Sequence, residues 1–214
     1  MAEQENSKDL ISVLWSGADI LRSKMDANEY KNYLLGIVFY KYLSDSFLIK
    51  VYDMICDGKP ESLKEALDAY VEELQGEDAA ELIKEMKDEC HYVIEPELTY
   101  TCFADAARNN AFNREQLQKA FNNIEQSDPI FADLFADIDL YSNRLGAGDQ
   151  KQSDTIASLV REIDKADLLN TDAEILGNAY EYLIGQFASE TGKKAGEFYT
   201  PQPVSKILTQ IAIA

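Results

Sequence analysis

Gly192-Lys193-Lys194-Ala195-Gly196-Glu197-Phe198-Tyr199-Thr200-Pro201 lies between two helical patterns, and its reading decides how the chain is organised. On its N-terminal side Leu176, Ala179, Tyr180, Leu183, Ile184 and Phe187 recur at helical spacing, which predicts an amphipathic helix. The glycine- and lysine-rich run breaks that period and predicts a loop. Thr200-Pro201 then signals a helix start, with a hydroxyl at the N-cap and a ring whose fixed φ suits the first helical position. Val204, Ile207, Leu208 and Ile211 supply the following helix with an apolar stripe. Phe198 and Tyr199, side by side ahead of a helix N-terminus, make a flat apolar wall beside unpaired N–H groups. Such a place suits a ligand with both a ring and a carboxylate. Pro201 and Pro203 remove two of those donors and weaken the anion-binding component.

Asn178-Ala179-Tyr180-Glu181-Tyr182-Leu183-Ile184-Gly185-Gln186-Phe187-Ala188, followed by Gly192 to Pro201, resembles the entry to the catalytic domain of the modification subunit of type I restriction–modification systems. A second block resembles the opening of the same family's helical N-terminal domain. It comprises Leu14-Trp15, Ala18-Asp19-Ile20-Leu21-Arg22, Met25-Asp26-Ala27, Glu29-Tyr30-Lys31, Leu35-Gly36 and Lys41-Tyr42-Leu43-Ser44-Asp45. The two blocks stand in the family's order and cover roughly a third of the chain. The segment between them is only loosely patterned.

The resemblance implies a DNA adenine-N6 methyltransferase that uses S-adenosyl-L-methionine. It would work with a specificity subunit that reads the DNA site and with a restriction subunit, meeting double-stranded DNA through that complex. In the family the segment matching Glu197, Phe198, Tyr199, Thr200, Pro201 and Gln202 helps hold the cofactor. The resemblance gives the aromatic rings a packing role and Thr200 a polar contact. Many relatives carry a basic residue where Gln202 stands, so a charge contact at that position does not carry over. Lys193 and Lys194 beside the aromatic pair are candidate phosphate contacts. No catalytic residue is assigned. The family also needs a glycine-rich turn after a strand for the methionine part of the cofactor, and an Asn-Pro-Pro-aromatic element for the flipped adenine. Neither occurs in these 214 residues. The chain stops inside an apolar helical pattern at Ile211-Ala212-Ile213-Ala214 without a capping residue. It is therefore expected to be the N-terminal portion of such a subunit, inactive alone.

Composition supports an ordinary globular core, with 46% hydrophobic residues. The charge does not suit a free-standing nucleic-acid binder: 20 basic against 39 acidic residues give −19. Residues 61–97 hold 13 acidic and 3 basic side chains, whereas residues 171–214 hold 5 and 3. The start is polar and acidic, unlike a signal peptide, and the most apolar run, Tyr33 to Tyr40, is too short to cross a bilayer. Three cysteines without a framework fit a reducing compartment, so a cytoplasmic location with no membrane partner is expected.

Helical periodicity predicts a first helix with Leu10, Ile11, Leu14, Ala18 and Leu21 inward and Ser7 as its N-cap. A long helix from Tyr30 to Ile55 follows, apolar on nearly every side near its start and hence buried on several faces. Gly36 within it costs about 1 kcal/mol in propensity, tolerable where another helix approaches closely. Ser62 to Glu65 reads as a capping box ahead of Leu63, Leu67, Tyr70, Val71 and Leu74. A short helix carries Leu82, Ile83 and Met86. Tyr92-Val93-Ile94 is the sole strand candidate. A box from Asn113 to Gln116 starts a helix with Leu117, Phe121 and Ile124. Gly146 to Asp149 predicts a flexible loop, and Ile156, Leu159, Val160 and Ile163 another helix. The fold class expected is mainly α: a helical bundle over residues 1–168, then residues 169–214 as the start of a Rossmann-like methyltransferase domain whose sheet is not in this chain.

Other chemistry is sparse. Cys90-His91 lacks the spaced ligand pairs of a zinc site, and Cys56 and Cys102 do not supply one, so no metal site is expected. A single His leaves little room for a catalytic triad. Trp15 falls on an apolar helix face and reads as core rather than as a stacking platform. The acidic run from Glu72 to Glu89 reads as a solvated helix face. It also carries the alternative function, an acidic helical protein-interaction module that mimics DNA with carboxylates in place of phosphates. That alternative explains the charge but neither the loop nor the two blocks.

Overall fold

The computed structural model describes residues 2–167, Gly177 and 202–212, and all its regular elements are helices. Asp26 opens the central one: its Oδ1 accepts a hydrogen bond from the Glu29 amide at 3.3 Å, and α2 runs Ala27–Cys56. Asp57, at φ 51°, turns the chain out of it. α1 (Ala2–Arg22), α3 (Leu63–Glu73), α4 (Ala79–Cys90), α5 (Tyr100–Arg108) and α7 (Asp149–Ile163) all touch α2, while α6 (Arg114–Ser127) closes the bundle through the 3-10 turns Pro96–Leu98 and Pro129–Phe131. Leu34, Ile37, Phe47, Leu48 and Val51 are accordingly fully buried around α2. That is the physical sense of a helix apolar on several sides. α1 runs through Ser7, so that residue is not its cap.

Two glycines show how tightly the bundle closes. A Cβ on Gly17 would stand 2.8 Å from Leu34 Cδ2 and 3.1 Å from Leu159 Cδ1, so α1, α2 and α7 meet there. At Gly36 the expected partner was another helix. The space is instead filled by Ile138, from the irregular connection between α6 and α7, whose Cδ1 would overlap any Cβ.

Tyrosine hydroxyls tie the irregular segments to the helices. Tyr40 donates to the Leu98 carbonyl (2.7 Å), Tyr70 to Ile94 (3.1 Å), Tyr92 to Leu43 (3.0 Å) and Tyr100 to Val160 (2.9 Å). Burial pushes all four phenols up, Tyr70 to about 12, so they remain neutral donors. Tyr92-Val93-Ile94, the strand candidate, is not a strand. No strand is described beside it; the Tyr70 hydroxyl holds its Ile94 carbonyl, and its Tyr92 hydroxyl is tied to the Leu43 carbonyl.

Several caps match the sequence. Ser62 Oγ accepts from the Glu65 amide at 3.2 Å, while the Glu65 carboxylate takes the Glu61 amide (2.6 Å) and the Tyr52 hydroxyl (2.7 Å). Asn113 caps α6 through the Glu115 amide at 2.8 Å. Val71, expected to point inward, is exposed, because it lies one position beyond the arc its helix presents to its neighbours; Ile83 on α4 is exposed as well. α5 had no sequence forecast. Its N-cap is Thr99, whose Oγ1 accepts from the Cys102 amide at 3.4 Å.

The Gly146–Asp149 loop is pinned rather than loose. Arg114, buried, reaches Asp149 Oδ1 at 2.5 Å, donates to Gln152 Oε1, and lies 4.3 Å from the Tyr141 ring centroid. Gln152 donates to the Gly146 carbonyl at 3.2 Å, and Thr155 to Leu145 at 2.8 Å. Gly148, at φ 87°, supplies the turn into α7 that a side chain would resist.

Candidate functional site

The sequence predicts a helix immediately after the candidate segment Glu197 to Pro201, and that helix is present. α8 spans Gln202–Ala212, directly after Thr200-Pro201. Glu197, Phe198, Tyr199, Thr200 and Pro201 lie outside the described residues, as do Lys193, Lys194 and the side chain of Gln202. Val204, Ile207, Leu208 and Ile211 all lie on α8 and are all exposed, so the described part of the molecule does not bury that stripe.

The acidic helices present their charge to water. Glu72, Glu77, Asp78, Glu81, Glu85, Asp88 and Glu89 are exposed on α3, α4 and the turn between them. Few cations answer them: Lys50 meets Glu89 at 2.7 Å, and Lys64 meets Asp68. This is the solvated face read from the sequence, and a surface that repels phosphates.

His91 ends α4 in the left-handed conformation, at φ 67°, with Nδ1 3.5 Å from Asp128 Oδ2. Burial pushes the neighbouring Cys90 thiol up, which keeps it protonated. No group of three metal-ligating side chains occurs among the described residues. Trp15 packs against the core, with the Arg22 guanidinium 5.4 Å from its ring centroid. Lys24 is engaged in the fold, donating to the Leu145 carbonyl at 3.1 Å. No described helix is long and apolar enough to cross a membrane.

One ionic group was not singled out in the sequence. Lys41 and Asp45 form a pair at 2.6 Å, with the two side chains 2% and 1% exposed. Lys41 Nζ lies 5.1 Å from the Tyr100 ring centroid, and the adjacent Ser44 hydroxyl accepts from the Tyr100 amide at 2.7 Å. Asp45 Oδ1 and Thr101 Oγ1 are buried without a hydrogen-bond partner. Desolvation outweighs the Lys41 charge and pushes the Asp45 carboxyl up to about 6. The signal was visible: two opposite charges one turn apart inside the most apolar helix of the chain. The pair joins α2 to α5 and has no access to a substrate, so its role is in the fold.

Comparison with known proteins gives these features a context. Residues 10–163 match the family model described as HsdM N-terminal domain, and residues 171–213 match N-6 DNA Methylase. The chain is similar to the type I restriction enzyme MpnII methylase subunit of Mycoplasma pneumoniae, with 29% identity over 99% of this chain and 40% of that one. It is also similar to the MjaVIII methylase subunit of Methanocaldococcus jannaschii, with 31% identity over 96% of this chain and 32% of that one. In three dimensions it resembles the crystal structure of the type I restriction-modification system methyltransferase subunit from Streptococcus thermophilus. The TM-score is 0.88 at 49% identity, covering 96% of this chain and 43% of that one. The chain thus spans 32–40% of the length of these two curated relatives.

Proposed function

The chain belongs to the HsdM N-terminal domain family of type I restriction–modification methylase subunits, and from this we propose that it forms the N-terminal part of an S-adenosyl-L-methionine-dependent DNA adenine-N6 methyltransferase. The observation that carries the reading is the ordered pair of matches, a helical family domain over residues 10–163 and the beginning of a DNA methylase over residues 171–213. We divide the chain into a helical domain, residues 1–168, and the entry to the methyltransferase domain, residues 169–214. The second part contributes the edge of the cofactor site. Phe198 and Tyr199 pack on the cofactor, Thr200 offers it a polar contact, and Glu197, Pro201 and Gln202 complete the segment. Lys193 and Lys194 are the weaker assignment, to DNA phosphate.

The helical domain serves contacts within a cytoplasmic assembly that contains a specificity subunit and a restriction subunit and meets double-stranded DNA as a whole. The chemistry of transfer needs a nucleotide-binding turn and an adenine-binding element that these 214 residues lack. The chain alone is therefore inactive. The test is methyl transfer from labelled cofactor to unmethylated duplex. The complete methylase, assembled with its specificity subunit, is expected to label adenine N6, and the 214-residue chain is expected to label nothing. Label on another base, or turnover by the chain alone, contradicts the proposal.

A further inference from the structure

α2 is apolar around nearly its whole circumference between Tyr33 and Tyr40, yet among the described residues its neighbours do not cover all of it. Leu35 and Phe39 remain half-buried, and with Gly36 they form one wall of a groove of about 260 Å³. The other wall is the irregular segment that follows α6, through Leu134, Phe135 and Ile138. Ile138 can lie against α2 only because position 36 has no Cβ. Leu134, at the mouth, is 38% exposed. The volume suits one or two side chains of leucine size, and the lining is apolar except for Asn32 and Asp137.

Charge decides what can enter. Asp137 lines the groove and Asp133, also exposed, lies one residue before Leu134; residues 128–143 contain four aspartates and neither Lys nor Arg. The whole chain carries −19, so a second copy brings a like-charged surface, and DNA brings phosphates. We propose that this groove between α2 and the Leu134–Ile138 segment docks a protein segment that inserts an aliphatic or aromatic side chain flanked by Lys or Arg. The apolar side chain would fill the cleft while the basic neighbours meet Asp133 and Asp137. The groove uses none of residues 197–202, and the proposal does not depend on the methylase reading.

The test is selection of a random dodecapeptide phage library on the 214-residue chain, with counter-selection on Leu134→Glu. The altered position is partly exposed, and thermal melting of the variant checks that it stays folded. Peptides that survive are expected to carry a large apolar residue flanked by Lys or Arg, to lose at least about tenfold in affinity on Leu134→Glu, and to weaken on Asp137→Lys. Recovery of no discriminating peptide, or of acidic ones, overturns the proposal. So does a concentration-dependent dimer in sedimentation equilibrium that Leu134→Glu abolishes, because a second copy would then be the occupant.

Discussion

The Lys41 ammonium lies 2.6 Å from the Asp45 carboxylate, one helical turn along α2, and both groups are shut off from water by α5 and Tyr100. Removing two charges from water costs several kcal/mol per ion, which their attraction offsets only when both are present. Lys41→Met or Asp45→Leu alone is therefore expected to destabilise the chain by about 3–5 kcal/mol. The double variant should lie near the parent or above it. Urea unfolding of the three variants checks this. Equal, additive losses would show that the pair is not coupled.

The same carboxyl gives the stability a pH dependence. Its folded pKa is raised from 3.8 to about 6, chiefly by desolvation and against the Lys41 charge. A raised carboxyl favours the neutral form in the fold. Its stabilising contribution is fully present below 3.8 and is lost as pH rises through about 6. Relative to Asp45→Asn, which does not titrate, the parent is expected to lose about 2 kcal/mol between about pH 4.5 and about pH 7. Denaturation curves of both proteins across that window measure the difference directly.

Arg114 and Asp149 form an ion pair whose halves differ in weight. The Arg114 side chain is 8% exposed and the Asp149 side chain 92%. Truncating Arg114 to Ala leaves the Gln152 amide oxygen unpaired and uncovers Tyr141, a loss of about 2–4 kcal/mol. Asp149→Ala removes a solvated partner and should cost less than about 1 kcal/mol. Thermal melts of the two variants test the asymmetry.

Tyr40→Phe removes the donor to the buried Leu98 carbonyl without opening a cavity. A loss of about 1–3 kcal/mol is expected, that of an unsatisfied buried acceptor. The far-ultraviolet signal should be unchanged, and equilibrium denaturation gives the magnitude.

With a charge of −19 and its exposed carboxylates on α3 and α4, the chain alone is expected to give no shift of duplex DNA even in low salt. A tight, salt-sensitive shift in a gel assay would show that a basic surface outweighs the net charge.

Much of this fold is legible in the residues. The apolar spacing of Leu117, Phe121 and Ile124, and of Ile156, Leu159, Val160 and Ile163, gives helices whose named side chains are all fully buried. Ser62 and Asn113 announce their caps because a hydroxyl or amide oxygen at that position satisfies an otherwise unpaired amide. α5 is not legible: Tyr100-Thr101-Cys102-Phe103 has weak helix propensity, and the packing of Phe103, Ala104 and Ala107 holds it in shape. Nor is the Gly146 loop, since nothing local announces that Arg114, far off in sequence, will pin it. Gly36 was read correctly as a place of close approach, but the partner depends on how the α6–α7 connection folds back. The proposed cofactor segment is assigned through its resemblance to a family, because an aromatic pair ahead of a helix suits a ligand with a ring and a carboxylate without saying which one. Of that segment, only the backbone of Gln202 falls within the described residues.

The central claim is that residues 197–202 form part of a methyl-donor site, and photolabelling tests it most directly. The complete methylase, assembled with its specificity subunit and irradiated with methyl-labelled S-adenosyl-L-methionine, is expected to carry label on the peptide containing Phe198 and Tyr199. Tyr199→Ala and Thr200→Ala should each raise the cofactor KM by about tenfold, the loss of one stacking or polar contact. Label confined to other peptides, with the cofactor KM unmoved by either substitution, would contradict the account.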